Sequence, residues 1–481
     1  MRNYDRLFLG GTWQVPLGDE TIDVISPASE EVVGRVPAAS KDDAASAVRF
    51  ARAAFDEGPW PRMSVAERVE RIRAFAAAIA ERSDEFADIL SLEQGLPRHA
   101  LPAGQIAKTV ANFEAFAGIA SDFDWVTTRA GSAGRTIRVR RVPVGVVAAI
   151  VPWNAPLMVA SMKLAPALVA GNTVVLKPPV ETPLHTYLLA EAALAAGLPA
   201  GVLNIVPAGP EVSELLVRDP GVDEVSFTGS TAVGRLVGAI CGGEIKRCTL
   251  ELGGKSAAVV LDDFELTEAN VKLLVAGVMT NAGQVCAAQT RVLVPTSRYR
   301  DVVEAVAQTS AALRVGDPSE PTTDIGPLIS RRQRERVERY IAIGVEQGAS
   351  LVTGGGRPDI ERGFYLQPTV FSDVDNRMTI AREEIFGPVA SIIAYDGEEQ
   401  AIAIANDSDY GLAGSVYTGD VERGESVASR VRTGSVAVNS PGALDVYGPF
   451  GGFKQSGFGR EGGPESLASY TELQSIILPK K

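Results

Sequence analysis

Val142-Pro-Val-Gly-Val-Val-Ala-Ala-Ile-Val151, Leu157-Met-Val-Ala-Ser-Met-Lys-Leu-Ala-Pro-Ala-Leu-Val-Ala170 and Thr173-Val-Val-Leu176 follow one another with only short polar breaks. The first and third stretches are short apolar runs bounded by Gly and Pro, which suits strands; the middle one has helix length. Neither strand alternates polar with apolar residues, so both faces are expected to be covered. That is the pattern of a parallel strand inside a βαβ unit.

Downstream the alternation continues. Leu184–Ala196 is expected as a helix ended by Gly197, with Pro199 just beyond. A strand over 202–206, a helix over 211–217, a strand over 224–227 and a helix over 232–240 follow. A similar alternation resumes at Ala257 and runs to about Gly434. The fold class is therefore α/β, with two doubly wound parallel-sheet domains in series. Upstream, helices are expected over 42–55, after Pro61-Arg62-Met63, and over 105–119. In the second, Ser64 and Glu67 have capping-box spacing and Val65, Val69, Ile72, Phe75 and Ile79 recur with helical period. Residues 121–141, with Trp125, Val126, Ile137, Val139 and several Arg, read as extended and exposed. Residues 470–478 form a lone strand pattern after the Gly-rich loop 448–463, suited to pairing outside its own domain. There is no internal repeat and no low-complexity tract.

Length and composition narrow the chemistry. At 481 residues the chain has room for about three domains. Its 46 Lys+Arg against 59 Asp+Glu disfavour a nucleic-acid or anionic-membrane binder, which needs a basic surface. Met1–Arg6 is polar and the longest apolar runs are broken by Pro, Gly or Asn, so neither a signal peptide nor a membrane span is expected. Three Cys and two His suit a reduced, cytoplasmic protein, and leave little for a zinc site, a Ser-His-Asp triad or a disulfide scaffold.

Cys286, in Asn281-Ala-Gly-Gln-Val-Cys286, follows the apolar stretch Val271–Met279 in a Gly-containing turn. A helix starting there would stabilise a thiolate; a small buried hydrophobe is the other reading. Cys241 and Cys248 flank Gly242-Gly243 and read as structural. His99 and His185 lack a partner pattern and suit surface or capping positions. The base for a thiol is then sought among carboxylates. Glu251 ends an apolar strand before Gly253-Gly254, where a partly dry setting would raise its pKa; an exposed strand-end Glu is the alternative. Phe227-Thr-Gly229-Ser230 is a strand, a turn and a helix start able to meet a phosphate, without being a G-x-G-x-x-G fingerprint. Lys177 and Asn154 each follow a strand, where the ligand crevice of a doubly wound sheet lies. Lys177 could hold a ribose or phosphate there, and Asn154 an oxyanion; a solvated loop Lys and a turn Asn are the plainer readings.

Together these segments resemble the aldehyde dehydrogenase superfamily over nearly the whole chain. The matching motifs, in order, are Pro152-Trp-Asn154, Lys177-Pro178, Phe227-Thr-Gly-Ser230, Glu251-Leu-Gly-Gly-Lys255, Gly283-Gln-Val-Cys286, Glu383-Glu-Ile-Phe-Gly-Pro388 and Pro449-Phe-Gly-Gly-Phe-Lys-Gln-Ser-Gly457. The resemblance implies NAD(P)-dependent oxidation of a small-molecule aldehyde to the acid. Cys286 would be the nucleophile, Glu251 the water-activating base, and Asn154 with the Cys286 N–H the oxyanion donors. Glu461 would match a second carboxylate tied to proton relay. Lys177 would serve the cofactor ribose, with Pro152, Trp153, Gly229, Ser230, Gly253, Glu384 and Phe386 also on the cofactor side. It implies no metal. It further implies a cofactor domain over 1–120 and 142–251, a catalytic domain over 252–445, and oligomerisation segments at 121–141 and 446–481 that form a small sheet in a homodimer or homotetramer.

Two departures matter. Val180 stands where the pattern has a ribose-binding Glu, which leaves NAD with NADP also possible. The substrate funnel has Ala155 and Met162 at frequently aromatic positions and Thr280 at another, while Phe450 is kept and Val285 precedes the nucleophile. A wider apolar entrance points to a bulky hydrophobic or aromatic aldehyde. No Arg adjoins Cys286 to anchor a semialdehyde carboxylate; Arg291 lies past the motif. Loop 443–447 is also expected to shape the entrance. A coenzyme A-acylating enzyme, a semialdehyde dehydrogenase and a non-catalytic binding protein are the rival readings; Glu251 favours hydrolysis.

Overall fold

Two helices that matter for the site precede the strand–helix alternation, Ser83–Gln94 (α1) and Ala107–Asp122 (α2). The computed structural model describes residues 2–442 and 444–480. A π-helical turn, Pro102–Ile106, leads into α2. The alternation itself runs Val146–Ile150 (β1), Pro156–Ala170 (α3), Thr173–Lys177 (β2), Glu224–Thr228 (β3), Thr231–Glu244 (α4) and Arg247–Glu251 (β4). Between β2 and β3 come the helix His185–Ala195 and the strand Leu203–Ile205.

These strands form one sheet. Its parallel core has the order β4, β3, β1, β2, Leu203–Ile205, extended antiparallel by Leu7–Leu9 and Thr12–Gln14 at one edge and Gly457–Phe458 at the other. The unbroken apolar runs have a direct cause. Val147, Ala149, Val174 and Leu176 enter the core on one face, while Val146, Ala148, Ile150 and Val175 enter the core on the other. The chain winds outward from β1 toward Leu203–Ile205, then returns to the opposite side of β1 to lay down β3 and β4. Such a reversal opens a crevice beyond the strand C-termini, where Pro152, Gly229 and Leu252 begin their loops.

A second, seven-stranded sheet runs from Ser350–Thr353 through Thr369–Ser372, Val389–Tyr395, Arg291–Pro295, Ala257–Val260 and Ala413–Tyr417 to Ser435–Val438. It is parallel except at the Ser350–Thr353 edge and encloses its own core with Glu268–Met279 (α5) and Arg331–Glu346 (α6). The extended segment 136–143 is the central strand of a three-stranded antiparallel sheet, paired on one side with 126–130 and on the other with the tail strand Thr471–Leu478, Thr471 opposite Pro143 and Leu478 opposite Thr136. The α/β architecture expected from the alternation is therefore present. Among the described residues no helix is long and apolar enough to cross a membrane.

Three local expectations are corrected. Helix α1 has no counterpart in the sequence reading. His185 is fully buried instead of at the surface, and its Nδ1 lies 2.8 Å from Glu93 Oε1. Glu93 itself caps the helix that His185 opens, accepting from the N–H groups of Leu184 (2.7 Å) and His185 (3.2 Å). No helix starts at Cys286, which lies in a turn between α5 and the strand Arg291–Pro295.

Candidate active site

The loops after β1, β3 and β4 face the segment 280–288 of the second unit across the crevice. The approach depends on small residues. A Cβ on Gly254 would stand 2.5 Å from the Cys286 carbonyl oxygen, and one on Gly283 would stand 2.0 Å from the Gly387 carbonyl. Asn281, Ala282 and Gly283 are all left-handed, with φ of 54°, 52° and 71°. For Asn and Ala this is a strained conformation, held here immediately before Cys286.

Together these loops line a cavity of about 840 Å³. Cys286, Glu251, Asn154 and Glu461 all border it. So do Pro152, Trp153, Gly229, Ser230, Gly253, Glu384 and Phe386, expected on the cofactor side, and Ala155, Met162, Thr280, Val285 and Phe450, expected on the substrate side. Lys177 is the exception among the expected site residues. It ends β2, buried, outside this cavity, and burial brings its pKa down to about 8 with Glu181 opposing. The solvated-loop reading of Lys177 is thereby excluded. Arg291 also lies away from the cavity, its buried guanidinium bound to the carbonyls of Lys255, Ile404 and Ala405 and to Asn376. Ala443 falls outside the described residues.

The electrostatics of the centre follow from its dryness. Glu251 is buried, its Oε1 has no hydrogen-bond partner, and burial followed by the nearby Glu461 holds its pKa well above the usual carboxylate range. Burial, then Glu251 and Glu384, likewise push the Cys286 thiol up, against the Ala287 N–H. Burial here opposes the thiolate, the reverse of a helix-end setting. Asn154 Nδ2 gives one hydrogen to the Gln284 carbonyl at 2.9 Å. Its second hydrogen is left for a ligand in the cavity.

Behind Glu251, Glu461 pairs with Lys163 of α3, and Lys163 Nζ also donates to Ser226 Oγ at 3.0 Å. Both charges of this pair are buried. Glu384 accepts from the Gly254 N–H at 3.1 Å, and burial pushes its pKa up to about 7. Phe386 meets Trp153 edge to face with ring centroids 5.3 Å apart, from a left-handed backbone at φ 61°.

The model of the aldehyde dehydrogenase family matches residues 13–476. The chain belongs to the aldehyde dehydrogenase family. It is 44% identical over 476 residues to the geranial dehydrogenase of Castellaniella defragrans, covering 99% of both chains. Among solved structures it resembles a Mycobacterium tuberculosis aldehyde dehydrogenase complexed with NAD+, at TM-score 0.97 and 51% identity over 100% of this chain and 99% of the other. It also resembles a mutant aldehyde dehydrogenase C of Pseudomonas syringae complexed with NAD+ and octanal, at TM-score 0.94 and 41% identity over 98% and 96% of the two chains.

Three polar residues of this aldehyde dehydrogenase site were missed in the sequence. Lys163 had a signal: it is the one charge in the apolar run 157–170, and a buried charge needs a partner. Gln94 and Gln105, which reach the Asn154 backbone and the start of α3, had none.

Proposed function

We propose that this aldehyde dehydrogenase converts an apolar aldehyde to the free acid with NAD as hydride acceptor. The observation that carries the reading is one cavity that joins Cys286, Glu251 and Asn154 to an arm walled by Leu96, Leu101, Met158, Met162 and Phe450. Thr280 Oγ1 in that arm is spent on the Ala276 carbonyl at 2.7 Å, so hydrocarbon is the chemistry the wall favours. The names of the relatives, geranial dehydrogenase and an octanal complex, support the same class.

The residues present fit NAD. A Cβ on Gly229, just before α4, would strike the Phe227 ring at 2.6 Å, and Ser230 Oγ caps that helix at Val233. Free N–H groups at such a terminus suit a pyrophosphate. The desolvated Lys177 amine suits an anionic or hydroxyl-rich neighbour. Glu384 and Phe386 border the same cavity, and a Cβ on Gly253 would stand 2.4 Å from Glu384 Oε2. The bound nicotinamide would take the hydride from the substrate carbon.

In this reading the Cys286 sulfur bonds to the carbonyl carbon as its thiol proton passes to Glu251, which gives it up again before the thioester is hydrolysed. The Asn154 amide and the Cys286 N–H hold the resulting oxyanion. Loss of hydride leaves a Cys286 thioester. Glu251 then removes a proton from water, the hydroxide adds to the thioester carbon, and the C–S bond breaks to release the acid and a Cys286 thiolate, which takes up a proton to return to the starting thiol. Glu461 and Lys163 lie behind Glu251 and suit passage of its proton. The three-stranded sheet suits self-association as a homodimer or homotetramer, since Leu473, Ile477 and Val126 are 59%, 61% and 56% exposed on it.

The test is kcat/KM across acetaldehyde, octanal, geranial and benzaldehyde, with NAD and with NADP, and product analysis with and without coenzyme A. Free acid in both conditions and a preference for the larger apolar aldehydes are expected. A coenzyme A thioester product, or preference for a semialdehyde, would overturn the reading.

A further inference from the structure

We infer that Gln94 and Gln105 form a positioning relay for Asn154, the residue proposed above to hold the oxyanion; the inference rests on that reading. Gln94 is the last residue of α1 and Gln105 lies in the π-helical turn before α2. Both side chains are buried, at 2% and 7% exposure. Their amides form a chain of fixed direction. Gln105 Oε1 accepts from the N–H groups of Leu157 (3.1 Å) and Met158 (3.4 Å), in the first turn of α3. Gln105 Nε2 donates to Gln94 Oε1 at 3.1 Å. Gln94 Nε2 donates to the main-chain carbonyl of Asn154.

One two-glutamine chain therefore holds the segment 154–158 at both ends, by its leading carbonyl and by its trailing N–H groups. The same Asn154 carbonyl accepts from Asn281 Nδ2 at 2.9 Å, and Asn154 Nδ2 donates to the Gln284 carbonyl. The loop after β1 is thus tied to α1 on one side and to the segment before Cys286 on the other. This fixes where the second Asn154 N–H points relative to the sulfur. The arrangement also accounts for the π-helical turn. Irregular helix of this kind re-aims a side chain, and here it brings Gln105 to the start of α3. With these partners, neither amide can turn over without placing carbonyl against carbonyl.

The relay predicts a loss in turnover rather than in binding. Full-length Gln94→Met, Gln105→Met and the double variant are compared with wild type and Asn154→Ala, using octanal and NAD. Iodoacetamide titration of Cys286 counts intact sites. Each single variant is expected to lose kcat by about tenfold or more per intact site, since misplacing a catalytic group by an ångström costs up to ~100-fold. KM should stay within about threefold, and the double variant within about twofold of the worse single one, because coupled groups are non-additive. Gln105→Glu keeps the acceptor for α3 and, at alkaline pH where its carboxyl is ionised, offers no donor to Gln94, so it reports even where a Met variant fails to fold; there it should lose kcat as Gln105→Met does. Normal kcat per site in Gln94→Met or Gln105→Glu, or effects confined to KM, would overturn the relay. A slow Asn154→Ala beside normal glutamine variants sinks the relay alone, whereas a fully active Asn154→Ala sinks the oxyanion reading itself.

Discussion

At the residue scale, the dryness around Glu251 sets the behaviour of the proposed reaction. A carboxyl whose pKa is raised is protonated, and useless as a base, until the pH passes that raised value. Activity should therefore climb with pH well above the usual carboxylate range, and Glu251→Gln should remove that climb; a pH–rate profile of the deacylation step checks it. Cys286→Ala should leave no measurable oxidation in an absorbance assay at the reduced-cofactor wavelength. The wall residues give a specificity prediction. Ala155→Phe or Met162→Trp fills the apolar arm and should lower kcat/KM for geranial by about 10-fold or more while sparing acetaldehyde, since small steric changes in a pocket are worth roughly 1–3 kcal/mol. Parallel kinetics on the two aldehydes measure it. The sequence was informative about groups that react and poor on groups that hold them. Cys286, Glu251 and Asn154 stand in recognisable motifs, while a glutamine that positions a loop looks like any surface glutamine until its burial is known.

At the element scale, the strands and helices around the crevice were legible because each apolar run is bounded by Gly, Pro or Asn. Helix α1 was not, and the reason is local. It follows the helix Val65–Glu81 across a single residue, Arg82, with no Gly or Pro to mark the break. Its apolar Phe86, Ile89 and Leu90 recur at helical spacing, but over little more than one turn, too short a stretch to separate it from the helix before it. Yet its C-terminal end is a structural junction, where Glu93 caps one helix and Gln94 reaches the Asn154 carbonyl. Glu93→Ala removes a buried acceptor from two backbone N–H groups and from the His185 ring. It should lower stability by about 2–4 kcal/mol, read as a fall in Tm at neutral pH. His185, opening a helix two residues after Pro183, suits a surface or capping position in sequence; here the carboxylate of Glu93 does the capping and the ring is buried beside it.

At the scale of the whole molecule, two sheets meet through loops that neither could shape alone, which is why the sequence indicates the two units more readily than the distances between them. The isolated extended segments found their partners only in each other, 126–143 with the tail strand. Buried carboxylates also tie stability to pH. Glu224 on β3 is buried with Oε2 unpartnered, and burial, against Arg247, lifts its pKa from 4.5 to about 8. The native state then holds a proton that the unfolded chain has lost. The native state's advantage is intact below the unfolded value of 4.5 and is lost as pH rises toward 8. Glu224→Gln should therefore raise Tm at pH 8, by an amount equivalent to about 1–3 kcal/mol, and leave it unchanged at pH 4. Scanning calorimetry at both pH values checks the sign.

The proposed thioester on Cys286 and its release by Glu251 are tested most directly by intact-mass spectrometry of Glu251→Gln after mixing with octanal and NAD. The account predicts one octanoyl group on Cys286, accumulating at the expense of free octanoic acid and absent from Cys286→Ala. An unmodified protein that releases octanoic acid at the wild-type rate would contradict it.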